Sequence, residues 1–136
     1  MSAIREQDSL RLLVSGSRSL RGLQNVELDV FDALDERCSE INGRVEILRI
    51  RGDGVDKMVR KWCKSWCKSH PIVSQRIFMP ISKGNRSATQ QAHRRALEAC
   101  EEVLVFWDGR STGTKNLMEL CGNKLGGCHE YDLGGM

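Results

Sequence analysis

The sequence predicts one α/β domain of Rossmann-like architecture, with a mostly parallel sheet of about five strands and helices on both faces. Short apolar runs alternate along the chain with stretches in which apolar residues recur every three or four positions. Such alternation is typical of parallel strands joined by right-handed helical crossovers. The length of 136 residues and the 40% hydrophobic content fit a single domain with a real core. We expect residues 1–136 to form this domain, with about nine flexible residues at the N-terminus.

The first half of the chain contains two strand–helix pairs. Leu10–Ser15 is an apolar run that leads into Gly16, and it predicts a buried strand followed by a tight turn. In Asn25–Ile41 the apolar residues have helical spacing, which predicts an amphipathic helix. By the same criteria Val45–Ile50 is a second strand and Val55–Ser69 a second helix.

The second half continues the alternation. Ile72–Met79 is a strand candidate, and Asn85–Glu101 is a polar helix. Glu102–Trp107 is a fourth apolar strand, which Thr114–Asn123 follows as a short helix. Cys128–Leu133 completes the pattern as a last strand. The predicted order is therefore βαβαβαβαβ.

Composition and charge exclude several classes of protein. The net charge is only +3, from 21 Lys and Arg against 18 Asp and Glu, which does not indicate a nucleic-acid binder. No apolar run approaches the ~18 residues that span a bilayer, and the polar N-terminus lacks a signal-peptide core. We expect a cytoplasmic protein with no membrane partner, whose six cysteines remain reduced.

Four loops follow predicted strands, and each contains glycine and a basic residue. In an open parallel sheet these loops meet at the carboxyl edge, where ligands bind. Glycine allows close approach of backbone N–H groups, helix N-termini favour anions, and arginine adds bidentate recognition of phosphate. Turns also favour such residues without any ligand, so the alternative is a solvated rim. The four loops are 16–19, 51–54, 82–86 and 108–115.

The motifs of common nucleotide enzymes are absent. The sequence has no GxxxxGK[ST] phosphate loop and no GxGxxG dinucleotide fingerprint, which disfavours an ordinary NTPase or dehydrogenase, and we expect no cofactor. The last loop is the most informative, because Ser111, Thr112 and Thr114 surround Gly113 where a helix begins. Their hydroxyl groups could cap the helix or hold a phosphate.

The loop motifs resemble those of the SLOG superfamily, in particular its small bacterial and phage proteins. The matching segments are Gly16-Ser17-Arg18, Arg51-Gly52-Asp53-Gly54-Val55-Asp56, Gly84-Asn85-Arg86 and, most specifically, Phe106–Asn116. The chain departs from the family pattern at Asp53, where a small residue is usual, and at Asn85-Arg86, where the order is reversed. The resemblance implies a Rossmann-like fold that binds a nucleotide or nucleotide derivative.

The preferred hypothesis is a protein that senses or sequesters a nucleotide-derived, phosphate-bearing ligand, such as an ADP-ribose-like or cyclic nucleotide. Loops 16–18 and 113–114 would hold phosphate, an aspartate of the second loop would accept hydrogen bonds from ribose, and Trp107 could border the base. The candidate ligand-binding residues are Gly16, Ser17, Arg18, Gly52, Asp53, Asp56, Arg86, Trp107, Asp108, Ser111, Thr112, Gly113 and Thr114.

A nucleotide N-glycosidase is the first alternative, because the superfamily includes the cytokinin-activating phosphoribohydrolases. Their motif PGGxGTxxE has a catalytic glutamate three residues after threonine, where this chain has Leu117. Glu119 lies two residues further, a rotation of about 200° on a helix, and cannot simply replace it. A carboxylate from another loop could act instead. The available ones are Asp53, Asp56 and Asp108.

Single-stranded nucleic-acid binding is the second alternative, by similarity to the DNA-processing family. One helix carries a basic face next to two tryptophans, and positive grooves with aromatic platforms can bind single strands. Both tryptophans also belong to the apolar stripe of that helix, which favours core packing. The residues concerned are Lys57, Arg60, Lys61, Lys64, Lys68, Trp62 and Trp66.

Other features carry weaker hypotheses. Cys63, Cys67 and His70 have a spacing that could hold zinc, but a structural site needs four ligands. Cys128-His129 could contribute only if the last strand lies nearby, so no metal is expected. His93 lies in the polar helix, and we expect it to face solvent. Relatives in the resembling families are often oligomeric, so a homodimer or homotetramer is also possible.

Overall fold

The structure, a computed structural model, describes residues 7–20, 22–52, 54–69, 73–79, 86–121 and 127–133. It contains the predicted alternation of five strands and four helices, with a short 3-10 helix, Arg18–Leu20, after the first strand. The strands are β1 Gln7–Gly16, β2 Ile41–Ile50, β3 Val73–Phe78, β4 Glu102–Trp107 and β5 Cys128–Asp132. The helices are α1 Gln24–Ser39, α2 Val55–Ser69, α3 Arg86–Ala99 and α4 Thr112–Leu120.

All five strands are parallel and lie in the order β3-β2-β1-β4-β5. β1 is therefore central, with β2 on one side and β4 on the other. The chain progresses outward through β2 and β3 and then returns across the sheet to β4. This reversal creates a switch point between β1 and β4. The loops that follow these two strands lead to helices on opposite faces of the sheet. The predicted α/β fold class is confirmed.

Alternation along the central strand divides the core into two layers. Leu12 and Leu13 are both fully buried, and they point to opposite faces of the sheet. The face that holds Leu12 packs against α1 and α2, through residues such as Val30 and Val59. The face that holds Leu13 packs against α3 and α4, for example through Ala96. The predicted placement of helices on both faces is therefore also confirmed.

The largest boundary error concerns Ile41, which the periodicity assigned to the first helix. α1 ends at Ser39, and Ile41 begins β2, where it pairs with Gln7 of β1. Its side chain is buried in the same layer as the apolar face of α1. The three-residue spacing between Cys38 and Ile41 therefore looked helical although Ile41 belongs to a strand. β1 and β2 are consequently longer than predicted, and an irregularity in their register follows Gln7.

The last helix also begins and ends earlier than predicted. α4 starts at Thr112 instead of Thr114, and its final residue is Leu120. Within the described residues, no helix combines the length and the apolarity that crossing a membrane requires.

Candidate functional site

Three of the four glycine-containing loops meet at the carboxyl edge of the sheet. A Cβ atom on Gly16 would lie 2.5 Å from Val55 Cγ2 and 2.6 Å from the Phe106 carbonyl oxygen. Gly54 has a φ of +73°, and its Cβ would lie 2.8 Å from the Ser17 carbonyl oxygen. Both positions therefore require glycine because neighbouring backbone approaches closely. The loop after β3 lies outside the described residues, up to Arg86, whose side chain is also outside them.

Ser17 joins the loop after β1 to the loop after β4. Its backbone N–H donates to the Phe106 carbonyl at 2.9 Å, and its hydroxyl accepts from the Asp108 N–H at 3.2 Å. The same hydroxyl donates to Thr114 Oγ1 at 3.1 Å, and both side chains are buried. The two predicted phosphate-binding hydroxyls are thus engaged with each other across the switch point.

Asp108 organises the turn that precedes α4. Its Oδ1 accepts from the N–H groups of Arg110 at 2.8 Å and Ser111 at 2.7 Å, and its Oδ2 accepts from the Ser111 hydroxyl at 2.7 Å. Ser19 also donates its hydroxyl to Oδ2. Burial by itself raises the pKa of Asp108, but these hydrogen bonds outweigh burial and hold it well below its ordinary value. Asp108 is therefore an ionised structural group.

The other predicted residues around α4 have different surroundings. Trp107 is half-buried and donates its indole N–H to the Ser111 carbonyl at 3.1 Å. Thr112 is exposed, and a Cβ on Gly113 would meet no atom within 4 Å. Gly113 therefore borders open space at the start of the helix. Ser111 precedes α4 without a capping hydrogen bond from its own side chain.

Asp56 forms a buried ion pair with Arg49. Arg49 Nη1 lies 2.8 Å from both carboxylate oxygens, and the Gly52 N–H donates to Asp56 Oδ2 at 3.0 Å. Arg49 also donates from Nε to Gln75 at 3.0 Å. Sequence reasoning missed Arg49, although an arginine inside the apolar segment 47–50 was a signal for a buried partner. Asp53, the neighbouring candidate, lies outside the described residues.

A small pocket opens where β1 and β2 end, on the face of the sheet that α3 covers. Its volume is about 70 Å³. The pocket opens to solvent on one side. Arg18 and Arg51 are exposed, and neither makes an ion pair with a described residue. The lining residues are Ser15, Gly16, Arg18, Ile50, Arg51, Gly52, Asp56, Thr89 and His93.

His93 corrects the expectation of a solvent-facing side chain. It is 9% exposed and lies one helical turn after Thr89, on the side of α3 that faces the pocket. The neighbouring Ala92 and Ala96 are fully buried, and their small size lets the helix approach the sheet closely. Burial lowers the pKa of His93. The polar composition of α3 concealed this position, although the four-residue spacing of Thr89 and His93 could have indicated a shared face.

A second cavity of about 340 Å³ lies between α3 and α4. His93 lines it as well, and is the residue common to both spaces. The other lining residues are Gln90, Arg94, Asn116, Glu119 and Leu120.

The tryptophans of α2 are packed rather than presented as a platform. Trp62 is 2% exposed and stacks on Trp66 with ring centroids 4.8 Å apart. Both indole N–H groups donate to Asp35 Oδ1 at 2.8 Å. On the basic face, Lys61 lies 3.2 Å from Glu27. The expectation that both tryptophans pack against the core is confirmed for Trp62, while Trp66 is partly buried against it.

The zinc hypothesis concerns residues that are only partly described. Cys63 is a buried thiol, whereas His70 and the side chain of Cys67 lie outside the described residues. Within the described part of the chain, no three potential metal ligands lie together. Within the described residues no disulfide involves Cys38, Cys63, Cys100, Cys121 or Cys128.

Comparison with known families finds no family model that matches this chain, and comparison with curated proteins finds no similar sequence. The SLOG resemblance stays a prediction that rests on the loop motifs.

Proposed function

We propose that this protein binds a nucleotide-derived ligand by its phosphate group, in the pocket at the carboxyl ends of β1 and β2, and thereby senses or sequesters it. One observation carries the proposal. Arg18 and Arg51 line the pocket, while Asp56, the one carboxylate among the described lining residues, is already neutralised by Arg49. The local charge therefore favours an anion.

Chemistry favours phosphate as the anionic group. The pocket is small and opens to solvent, so a terminal group such as a phosphate can enter it while it stays attached to a larger molecule. Guanidinium groups recognise phosphate oxygens with paired hydrogen bonds. Two of them at one pocket favour a negatively charged ligand over a neutral one. Thr89 brings the first turn of α3 to the same pocket, so the helix dipole adds to the positive potential. The rest of the ligand would extend outside this pocket.

Binding without turnover is the better-supported form of this function. Hydrolysis of an N-glycosidic bond needs a carboxylate that is free to act as an acid or to stabilise the ribosyl cation. Two of the three candidate carboxylates are described, and Asp53 lies outside the described residues. Asp56 is occupied by Arg49 and the Gly52 N–H. Asp108 accepts three hydrogen bonds from its own turn and a fourth from Ser19. A depressed pKa also leaves Asp108 without a proton to donate.

The test is a ligand screen followed by titration of variants. We would measure thermal stabilisation by inorganic phosphate, nucleoside monophosphates, ADP-ribose and cyclic dinucleotides, since a ligand at 100 times its Kd adds ~2.7 kcal/mol. Arg18→Ala and Arg51→Ala should each weaken the affinity for the best ligand about 10- to 100-fold, because charge-assisted hydrogen bonds contribute ~1.5–3 kcal/mol. Arg110→Ala is the matched control, an exposed loop arginine that does not line the pocket.

The outcomes separate the functional classes. Chromatography that recovers the ligand unchanged supports a binding protein, whereas release of a free base would support an N-glycosidase. Stabilisation by oligonucleotides alone, with a steep loss in salt, would support nucleic-acid binding. If none of the phosphate compounds stabilises the protein, or if Arg110→Ala weakens binding as much as Arg18→Ala, the proposal is wrong.

A further inference from the structure

We infer that His93 is a ligand-binding residue of this pocket, which donates an imidazole N–H to an anionic oxygen of the ligand and makes ligand affinity depend on pH. The inference rests on the proposed function and adds a contact and a regulation to the same site. His93 lines both the small pocket and the cavity between α3 and α4.

The imidazole of His93 is buried and has no hydrogen-bond partner among the described residues. The residue is 9% exposed, and no described residue forms a hydrogen bond with its ring. Its ring nitrogens are not sealed from the solvent of the two spaces that it lines. A ligand that enters the small pocket can therefore supply the hydrogen-bond partner that the protein does not.

The charges around His93 favour an anion as that partner. From the β1 and β2 side it faces Arg18, Arg51 and Asp56, of which Asp56 is paired with Arg49. From its own helix and α4 it faces Arg94 and Glu119 across the second cavity. On the pocket side the excess charge is positive, and His93 lines the same small pocket as the two arginines, so an anion held there would lie beside the imidazole.

The sign of the pH dependence follows from this arrangement. Burial lowers the pKa of His93, and without an anion the ring is neutral at pH 7. A neutral ring still offers one N–H donor. A bound anion favours the protonated ring and raises the pKa of His93, so binding takes up a proton. Affinity should therefore increase as the pH falls from about 8 to about 5.5, the range in which histidine titrates.

Sulfate is the appropriate probe, because its charge is constant over this pH range, unlike that of a phosphate monoester. We would follow the imidazole and backbone amide signals by NMR during a sulfate titration at several pH values. Sulfate should raise the pKa of His93 and shift the amides of Gly16, Gly52 and Thr89. The internal control is His129, whose Nε2 lies 2.7 Å from Glu102 Oε1 at the amino ends of β4 and β5, away from the pocket. The ring signals of His129 should not respond to sulfate.

Two variants separate hydrogen bonding from protonation. His93→Gln keeps an N–H donor and cannot be protonated, so it should bind sulfate like the wild type near pH 8 and lose the increase at low pH. His93→Leu removes the donor and should weaken binding about 10-fold at every pH. The increase at low pH should be absent from both variants, which a purely structural role of His93 would not explain.

The failures of the two proposals can be distinguished. If sulfate shifts none of the three pocket amides, the pocket does not bind anions and the proposed function fails with this inference. If the amides shift but the pKa of His93 stays constant, or if His93→Gln retains the full pH dependence, only the role of His93 is wrong. An equal response of His129 would indicate general ionic screening and would also overturn it.

Discussion

Ser17 and Thr114 are 97 residues apart in the chain, and their hydroxyl oxygens lie 3.1 Å apart in the buried space between β1 and α4. Ser17 also accepts the Asp108 N–H, so a single hydroxyl connects the central strand, the turn after β4 and the first turn of α4. The GSR and SxGT segments thus have a structural role in which each completes the hydrogen bonding of the other.

Removal of this contact should reduce stability. Thr114→Val leaves the Ser17 hydroxyl without its acceptor in a buried site, which costs about 1–3 kcal/mol of the free energy of unfolding. Chemical denaturation measures the change. Thr112→Val is the matched control, since Thr112 is exposed on the same helical turn and should change stability by less than ~0.5 kcal/mol. Equal effects of the two substitutions would contradict the role assigned to the Ser17–Thr114 pair.

The Arg49–Asp56 ion pair should affect both stability and anion binding. Arg49→Met leaves the Asp56 carboxylate buried without its cation, and we expect a loss of about 3–5 kcal/mol. The uncompensated negative charge lies in the lining of the pocket, so anion affinity should fall although Arg49 itself does not line it. The double variant with Asp56→Asn should recover part of both losses. Arg76→Met, which breaks the exposed pair with Glu46, should cost no more than about 1 kcal/mol.

Two glycines of the loop motifs should respond oppositely to alanine. A Cβ on Gly16 would overlap Val55 and the Phe106 carbonyl, so Gly16→Ala should destabilise the protein by about 1–3 kcal/mol. Gly113 lies in the first turn of α4 with no atom within 4 Å of its Cβ position, so Gly113→Ala should stabilise by up to about 1 kcal/mol. Thermal denaturation of both variants checks this, and a destabilising Gly113→Ala would show that the glycine has another structural role.

Asp108 should make the folded state sensitive to acid. Its pKa is lower in the folded protein than the ordinary value of 3.8, so its contribution is present above that value and is lost as the pH falls toward the folded-state pKa. At pH 7, Asp108→Asn should lower the free energy of unfolding by about 1–2 kcal/mol. The difference from the wild type should shrink below about pH 4. Denaturation curves across this pH range test the prediction.

The matched control for Asp108 is an aspartate that does not form such hydrogen bonds. Asp29 is exposed on α1, and Asp29→Asn should change stability at pH 7 by less than ~0.5 kcal/mol. A difference between wild type and Asp108→Asn that persists unchanged in acid would contradict the assignment of these hydrogen bonds to the ionised carboxylate.

Most of the fold was predictable because its signal is local. The bounds of Val55–Ser69 and Glu102–Trp107 agree with the structure, since each segment has a clear apolar period and a turn residue at its end. Ile41 was misassigned because a residue just after a helix can have the helical spacing and still belong to the following strand. Periodicity reports which side chains are buried, and it does not report where the backbone changes conformation.

The position of the candidate residues in the fold could be predicted from the sequence, and their pairing could not. Arg18 lies at the carboxyl edge and lines a pocket there, whereas Ser17 is hydrogen-bonded to both Thr114 and Asp108. Hydroxyl groups and carboxylates that follow a strand could bind a ligand or a neighbouring loop, and both uses have the same sequence. His93 was placed in solvent because its helix is polar on average.

The amino-acid sequence by itself determined the alternation of strands and helices, the two apolar faces of the sheet and the glycines at its carboxyl edge, because these depend on residues that are near one another in the chain. Only the tertiary structure decided which polar groups are paired. Arg49 neutralises the charge of Asp56 in an ion pair, and Ser17 donates a hydrogen bond to Thr114. His93 has no hydrogen-bond partner among the described residues. The physical reason is that a hydrogen bond or ion pair depends on distance in space, and the strand order sets that distance for residues far apart in the chain.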